Sequence, residues 1–240
     1  MRTLALVTGA SRGLGRNTAL AIARGGGDVV VTYRGSADEA TAVVADLEAL
    51  GRRAVALQLD TGEVDAFPVF VTRLRTALHD TWQRETFDHL VNNAGHGDTA
   101  PIADTTVAQF DRLVDVHFKG VFFLTQALLP LIADGGRIVN ISTGLTRFAY
   151  PGYAAYAAAK AAVETLSVYM AKEFGARGIA VNTLAPGAIE TDFGGGVVRD
   201  NADVNAQLAG ITALGRVGVA DDIGPMIAAL LGEANRWVNA

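Results

Sequence analysis

The 240-residue chain contains no cysteine, which excludes disulfides, thiolate metal sites and a thiol nucleophile. It is also poor in charge. Only 19% of its residues are Asp, Glu, Lys or Arg, and the formal net charge is −5. That composition excludes a disordered, solvated chain and argues against nucleic acid or another polyanion as partner. Long apolar runs are missing as well. Gly, Asp, Arg or Lys interrupts each one, so none reaches the ~20 residues of a membrane span, and no membrane association is expected. His79, His89, His96 and His117 lack partners at metal-ligand spacing, so no metal is expected either.

What remains is an apolar, glycine-rich chain, with 50% hydrophobic residues and 27 glycines. Its length suits one large domain spanning 1–240. The start, "MRTLALVTGA", has a short apolar stretch that runs into a glycine turn. It reads as a strand and not as a signal peptide, so a cytoplasmic protein is expected. Short β-rich runs follow: "TLALVTG", "DVVVTY", "RAVALQLD", "FDHLVNNAG", "GRIVNIST" and "GIAVNTLAPG". Between them lie amphipathic stretches at 13–25, 36–50, 63–82, 107–133 and 153–176. Near-continuous apolar strands alternating with helices predict an α/β fold with a parallel sheet covered on both faces. Residues 187–215 hold too many glycines for one helix and read as a mobile, substrate-side loop with a short helix inside.

The first strand runs into "TGASRGLG", which places Gly9, Ser11, Arg12, Gly13, Leu14 and Gly15 in a turn opening a helix. Glycines let the backbone approach a pyrophosphate, and the helix start offers free N–H groups to it. The second strand ends in Tyr33-Arg34, with no acid to bind a free ribose 2′-hydroxyl. Arg12 and Arg34 suit a 2′-phosphate instead, so NADP(H) is expected rather than NAD(H).

A second cluster lies in "YPGYAAYAAAK". Tyr156 and Lys160 are four residues apart and share a helix face. A nearby ammonium favours a phenolate, so Lys160 is expected to lower the Tyr156 pKa from its usual value near 10 and suit it to proton transfer.

"TGASRGLG", "NNAG", "YAAYAAAK" and "NTLAPGAIET", in this order, resemble the short-chain dehydrogenase/reductase family over nearly the whole chain. The resemblance implies a Rossmann-type doubly wound sheet and an NADP(H)-dependent oxidoreductase, exchanging hydride reversibly between nicotinamide and a small ketone or secondary alcohol. It implies Tyr156 as acid, with Lys160 also holding the nicotinamide ribose. Thr143 stands where the family has its catalytic serine, keeping the hydroxyl and adding a methyl. His117 stands where the family has an asparagine that holds a water beside the lysine. Asn92, Ala94 and Gly95 match the segment beside the cofactor. Pro186, Gly187, Ile189 and Thr191 match the turn at its nicotinamide end. Asp60 fits an adenine contact as well as it fits a helix cap. Leu145, Phe148, Tyr150, Tyr153 and Phe193 are candidates for an apolar or aromatic substrate cleft. His96 fits either that cleft or a surface loop.

The helices at 107–133 and 153–176 resemble the family's subunit seam, implying a homotetramer or homodimer. The family continues past "RVGVADDIGPMIAALLGEANRWVNA" into one more strand, which is expected to be missing here. Two alternatives stay open. One is a 3-oxoacyl-[acyl-carrier-protein] reductase, although "LPLIADGGR" lacks a basic cluster for an acidic carrier. The other is a non-catalytic NADP-binding regulator.

Overall fold

The computed structural model describes residues 2–240. Six strands form one parallel sheet in the order β3-β2-β1-β4-β5-β6. They are β1 (Leu4–Val7), β2 (Asp28–Tyr33), β3 (Ala54–Gln58), β4 (Phe87–Asn92), β5 (Ile132–Ile141) and β6 (Ala180–Leu184). Leu6 of β1 lies between Val30 of β2 and Leu90 of β4. Alternate residues face opposite layers, as a pleated strand requires. Leu4 and Leu6 join a core under α3 (Phe67–Trp82), α5 (Gly120–Leu128) and α6 (Ala154–Phe174). Ala5 and Val7 join a second core under α1 (Gly13–Arg24), α2 (Ala37–Ala49) and α9 (Ala220–Leu230). Both faces are thus buried, which explains the unbroken apolar runs. The fold is the expected Rossmann-type doubly wound α/β sheet.

The strand order reverses between β1 and β4. At such a switch point the chain leaves neighbouring strands toward opposite faces and opens a crevice at their carboxyl ends. The glycine turn follows β1, Asn92–Gly95 ends β4, Thr143 follows β5 and Pro186 follows β6. Residues distant in sequence are thereby gathered on one edge.

Several local features depart from the sequence reading. The stretch 107–133 is broken. Helix α4 (Val107–Val114) starts on a Thr106/Gln109 capping box, a π-helical turn spans Asp115–Lys119, and α5 follows. The last residues are a short 3₁₀ turn and the start of β5. A side chain at Gly120 would strike the Thr61 carbonyl, so α5 starts hard against the loop after β3. Helix α3 starts at Phe67, not 63, with Pro68 in its first turn, where a missing N–H costs nothing. Residues 187–215 are more ordered than a plain loop. They contain α7 (Val197–Asp200) and α8 (Ala202–Ile211). The two-residue strand β7 (Ile189–Glu190) in the same segment pairs with β8 (Gly218–Val219). Beyond β6 the outer edge carries the last residues: Ala240 N donates to Val181 O at 2.9 Å, and Asn182 donates to Val238 O. Among the described residues, no helix is long and apolar enough to cross a membrane.

Candidate active site

The crevice is built around Thr8, directly after β1. Its hydroxyl accepts from the N–H groups of Asn93 and Ala94, both at 2.9 Å. The Asn93 amide donates back to the carbonyls of Thr8 and Gly9, at 2.8 and 3.2 Å. These bonds lock the turn after β1 to the segment after β4. Neither Thr8 nor Asn93 was singled out in the sequence, although Asn93 lies inside the "NNAG" motif. Gly9 has φ +62°, and a Cβ there would sit 2.8 Å from Ala94 Cα. A Cβ on Gly15 would land on the Gly9 carbonyl. Both glycines are therefore required by close backbone approach.

Helix α1 then begins at Gly13 with no side-chain cap and no acid in its first turn, which leaves its N–H groups and dipole for an anion. Gly13 faces Thr191 across the crevice, its would-be Cβ 3.9 Å from Thr191 Cβ. Ser11 and Leu14 are half-buried beside it. Arg12 and Arg34 are exposed, and neither enters an ion pair among the described residues, whereas Arg16 is bound to Asp46. A bare helix start, with no acid in its first turn, and two guanidinium groups outside any ion pair fit a 2′-phosphorylated dinucleotide.

Other expected cofactor residues divide by role. The Asp60 carboxylate accepts from Gly62 N at 2.9 Å, so it closes the turn after β3 and caps no helix. The Asn92 side chain turns inward, donating to Thr125 Oγ1 and Asn140 Oδ1 at 3.1 and 2.8 Å. Asn140 in turn donates to Ser167 of α6 at 2.8 Å. Asn92 therefore ties β4 to β5 and α5, while Ala94 and the exposed Gly95 carry the segment's surface. The buried Pro186 accepts from Gly144 N at 2.8 Å, which fixes the turn after β6 against the end of β5. Gly187 is exposed and Ile189 lies in β7. The buried Thr191 accepts from Phe193 N at 3.3 Å.

Tyr156 and Lys160 lie one turn apart on α6 and are both buried, at 6% and 4% exposure. Lys160 Nζ donates to Ile141 O at 2.6 Å and lies 5.9 Å from the Tyr156 ring centroid. Burial pulls the lysine down to about 8. The expected lowering of the tyrosine does not occur. Burial drives Tyr156 up to about 12, only partly offset by the Thr143 hydroxyl, while nearby Tyr153 pushes it further up. The ammonium is committed to the end of β5 and not aimed at the phenol, so desolvation wins.

Thr143 is buried after β5, and its hydroxyl also accepts from Leu145 N at 3.4 Å. The adjacent Ser142 points away, donating to Glu164 at 2.6 Å. His117 sits in the π-helical turn, fully buried, with its ring edge-on to Tyr156 at 5.0 Å. Its Nε2 lies 2.8 Å from the His96 carbonyl and 3.4 Å from the His96 N, and Nδ1 is buried with no partner. Burial and the Lys160 charge hold His117 well below the usual histidine range, so the ring is neutral at pH 7. Gly95 makes the space, because a Cβ there would be 2.6 Å from His117 Cε1.

Aromatic side chains line the opening. Tyr150, Tyr153 and Tyr156 follow one another with centroid spacings of 6.0 and 6.3 Å, and Phe193 stands 5.7 Å from Tyr156. Phe148 lies over Gly144, exposed on its outer side. Leu145 is half-buried behind it, and His96 faces His117 at 5.2 Å. The expected acid, its hydroxyl neighbour and the apolar wall therefore meet at one place, beside the glycine turn.

Comparison with known proteins gives a consistent result. The model of the short chain dehydrogenase family matches residues 3–202. A hydroxynaphthalene reductase of Aspergillus fumigatus is 31% identical, over 98% of this chain and 88% of its own. The structure of LugOII, a promiscuous reductase catalysing keto-reduction at C1 during lugdunomycin biosynthesis, superposes with a TM-score of 0.93. It is 38% identical, covering 99% of this chain and 93% of its own. The landomycin C-6 ketoreductase LanV, with bound NADP and rabelomycin, gives a TM-score of 0.89 at 34% identity, over 99% and 91%.

Proposed function

The chain belongs to the short-chain dehydrogenase family and is an NADP(H)-dependent oxidoreductase of it, and on that premise we propose that it reduces a small apolar or aromatic ketone to a secondary alcohol. The observation that carries this reading is the meeting of Tyr156, Thr143 and Lys160 under a wall of Tyr150, Tyr153 and Phe193. The similar LugOII and LanV are ketoreductases and the Aspergillus fumigatus relative is a hydroxynaphthalene reductase, which supports a ring-bearing ketone.

Gly9, Gly13, Gly15 and the start of α1 would hold the pyrophosphate, Arg12 and Arg34 the 2′-phosphate, and Lys160 the nicotinamide ribose. Ala94, Gly95, Pro186 and Thr191 would border the nicotinamide. When bound, NADPH supplies the hydride. Tyr156 holds the proton that the ketone oxygen takes up. With its pKa near 12, its phenol stays protonated at pH 7, as an acid must. Thr143 donates a hydrogen bond to the same oxygen and stabilises the charge that develops there. The aromatic wall orients the ring and excludes water. The neutral His117, fixed by the His96 carbonyl, packs fully buried behind Tyr156. The segment 187–215 supplies Phe193 to the cleft and forms its substrate side.

The test is NADPH consumption with two probe ketones, α-tetralone and phenanthrenequinone. Turnover of either supports the reading. NADPH binding with no turnover of any ketone would instead favour a regulator. The same surface supports an assembled enzyme. Val107, Phe110, Phe122 and Phe123 on α4 and α5, with Val168 and Tyr169 on α6, are exposed apolar residues. A homotetramer or homodimer would cover them, and light scattering showing only a 25.0 kDa species would refute it.

A further inference from the structure

Helix α6 carries a third group on the face that bears Tyr156 and Lys160. Glu164 lies one turn beyond Lys160 and two beyond Tyr156. One of its carboxylate oxygens, Oε1, accepts from two hydroxyls: Ser142 Oγ at 2.6 Å and Thr146 Oγ1 at 2.8 Å. These residues bracket Thr143, which they flank in the turn leaving β5. We propose that Glu164 is a positioning residue that clamps this turn onto α6 and thereby sets the Thr143 hydroxyl against Tyr156.

The geometry carries the assignment. Thr143 reaches the site from a strand end and Tyr156 from a helix, so something must hold one to the other. Between the two elements the Glu164 carboxylate makes two bonds of the short, charge-assisted kind, which are stronger than neutral ones. A hydroxyl has one proton to give. Thr146 Oγ1 also lies 3.0 Å from the Thr143 carbonyl, and with the carboxylate present the nearer, charged acceptor takes that proton. Without it, the Thr146 hydroxyl turns to the Thr143 carbonyl, and the buried Ser142 hydroxyl loses its partner. The turn itself then rests on backbone bonds to β6 and its following turn, Ser142 N to Leu184 O at 2.7 Å and Gly144 N to Pro186 O at 2.8 Å. Helix α6 still grips the strand just before it, through Lys160 Nζ to Ile141 O at 2.6 Å, but the Glu164 bonds reach past Ile141 to the residues on either side of Thr143. A shift of well under an ångström at Thr143 weakens a hydrogen bond formed in the transition state while leaving cofactor binding untouched.

This inference rests on Tyr156 and Thr143 being the reacting pair, and the experiment separates the two claims. Glu164→Ala and Glu164→Gln are made in the native background and again with Thr143→Ala. Turnover of phenanthrenequinone and NADPH affinity are measured for each. In the native background, Glu164→Ala is expected to lower kcat about 10-fold with the NADPH Kd unchanged, the scale of one ordinary transition-state hydrogen bond. Glu164→Gln, which keeps an acceptor oxygen, is expected to restore most of it. In the Thr143→Ala background, Glu164→Ala is expected to cost less than about 2-fold, because the group it positions is gone. Equal losses in both backgrounds, or no loss in the native one, would overturn the clamp. If Glu164→Ala does not fold, Ser142→Ala combined with Thr146→Val removes both donors and is held to the same outcomes. Tyr156→Phe run alongside reports on the premise: an inactive Tyr156→Phe with a silent Glu164→Ala removes only the clamp.

Discussion

Replacing Tyr156 by Phe deletes one oxygen and leaves the ring. The ring is 6% exposed and packs edge-on against His117 at 5.0 Å, with Phe193 at 5.7 Å and Tyr153 at 6.3 Å. None of these contacts needs the hydroxyl. Its loss removes at most one modest hydrogen bond toward Thr143, so folding stability should change by no more than about 1 kcal/mol. The melting temperature should shift by only a few degrees. The glycine turn, Arg12 and Arg34 are built from other elements, so NADPH should bind as before. Turnover is different, because the phenol is the acid proposed to protonate the ketone oxygen. Without it the developing oxyanion must take its proton from water, and kcat should fall by roughly 10²-fold or more, the usual contribution of a positioned acid. The assay is NADPH consumption with phenanthrenequinone, together with thermal unfolding and NADPH titration on the same preparation. Full activity with normal NADPH binding would refute the assignment of Tyr156 as the acid.

Three further outcomes follow from charge and burial. Arg34→Ala should raise the KM for NADPH and leave that for NADH little changed. Wild-type protein that binds NADH more tightly than NADPH would contradict the reading of the missing acid after β2. Lys160 is pulled down to about 8 by burial, so its ammonium is lost as pH rises through that value, and kcat/KM for reduction should decline above it. A profile flat to pH 10 would show that the lysine charge does not matter. His89 is buried on β4, and its pKa is lowered to about 4, chiefly by burial. The unfolded chain protonates His89 near 6.5 while the folded one does not. Stability should therefore fall between pH 6.5 and 4, by up to about 3 kcal/mol from this group, and then fall no further on its account. Chemical denaturation of His89→Gln should show a shallower fall, and a curve parallel to wild type would exclude the residue.

The sheet was legible because it is parallel and buried on both faces. Its strands announce themselves as apolar runs, and β2 matches its sequence limits of 28–33. The glycine turn and Tyr156/Lys160 were legible because each depends on residue type at fixed short spacing. What stayed hidden depends on contacts far apart in sequence. The π-helical turn at His117 has no proline to mark it, and the break shows only once Gly120 is seen against the Thr61 carbonyl. The Thr8–Asn93 lock spans 85 residues and joins two ordinary polar side chains. The influence of Lys160 on Tyr156 was misjudged for a related reason. Spacing along the helix places the ammonium near the ring, but not which acceptor it serves, and here the Ile141 carbonyl takes it.

That misjudgement bears on which form of Tyr156 rests in the site. An ammonium aimed at the phenol would ready Tyr156 to accept a proton, as alcohol oxidation requires. In this site burial acts on both groups toward neutrality, raising the tyrosine to about 12 and lowering the lysine to about 8. A phenol raised that far stays protonated at pH 7. The neutral His117 adds no positive charge beside it. The resting site therefore carries on Tyr156 the proton that the proposed reduction would consume, and reduction would use that form directly.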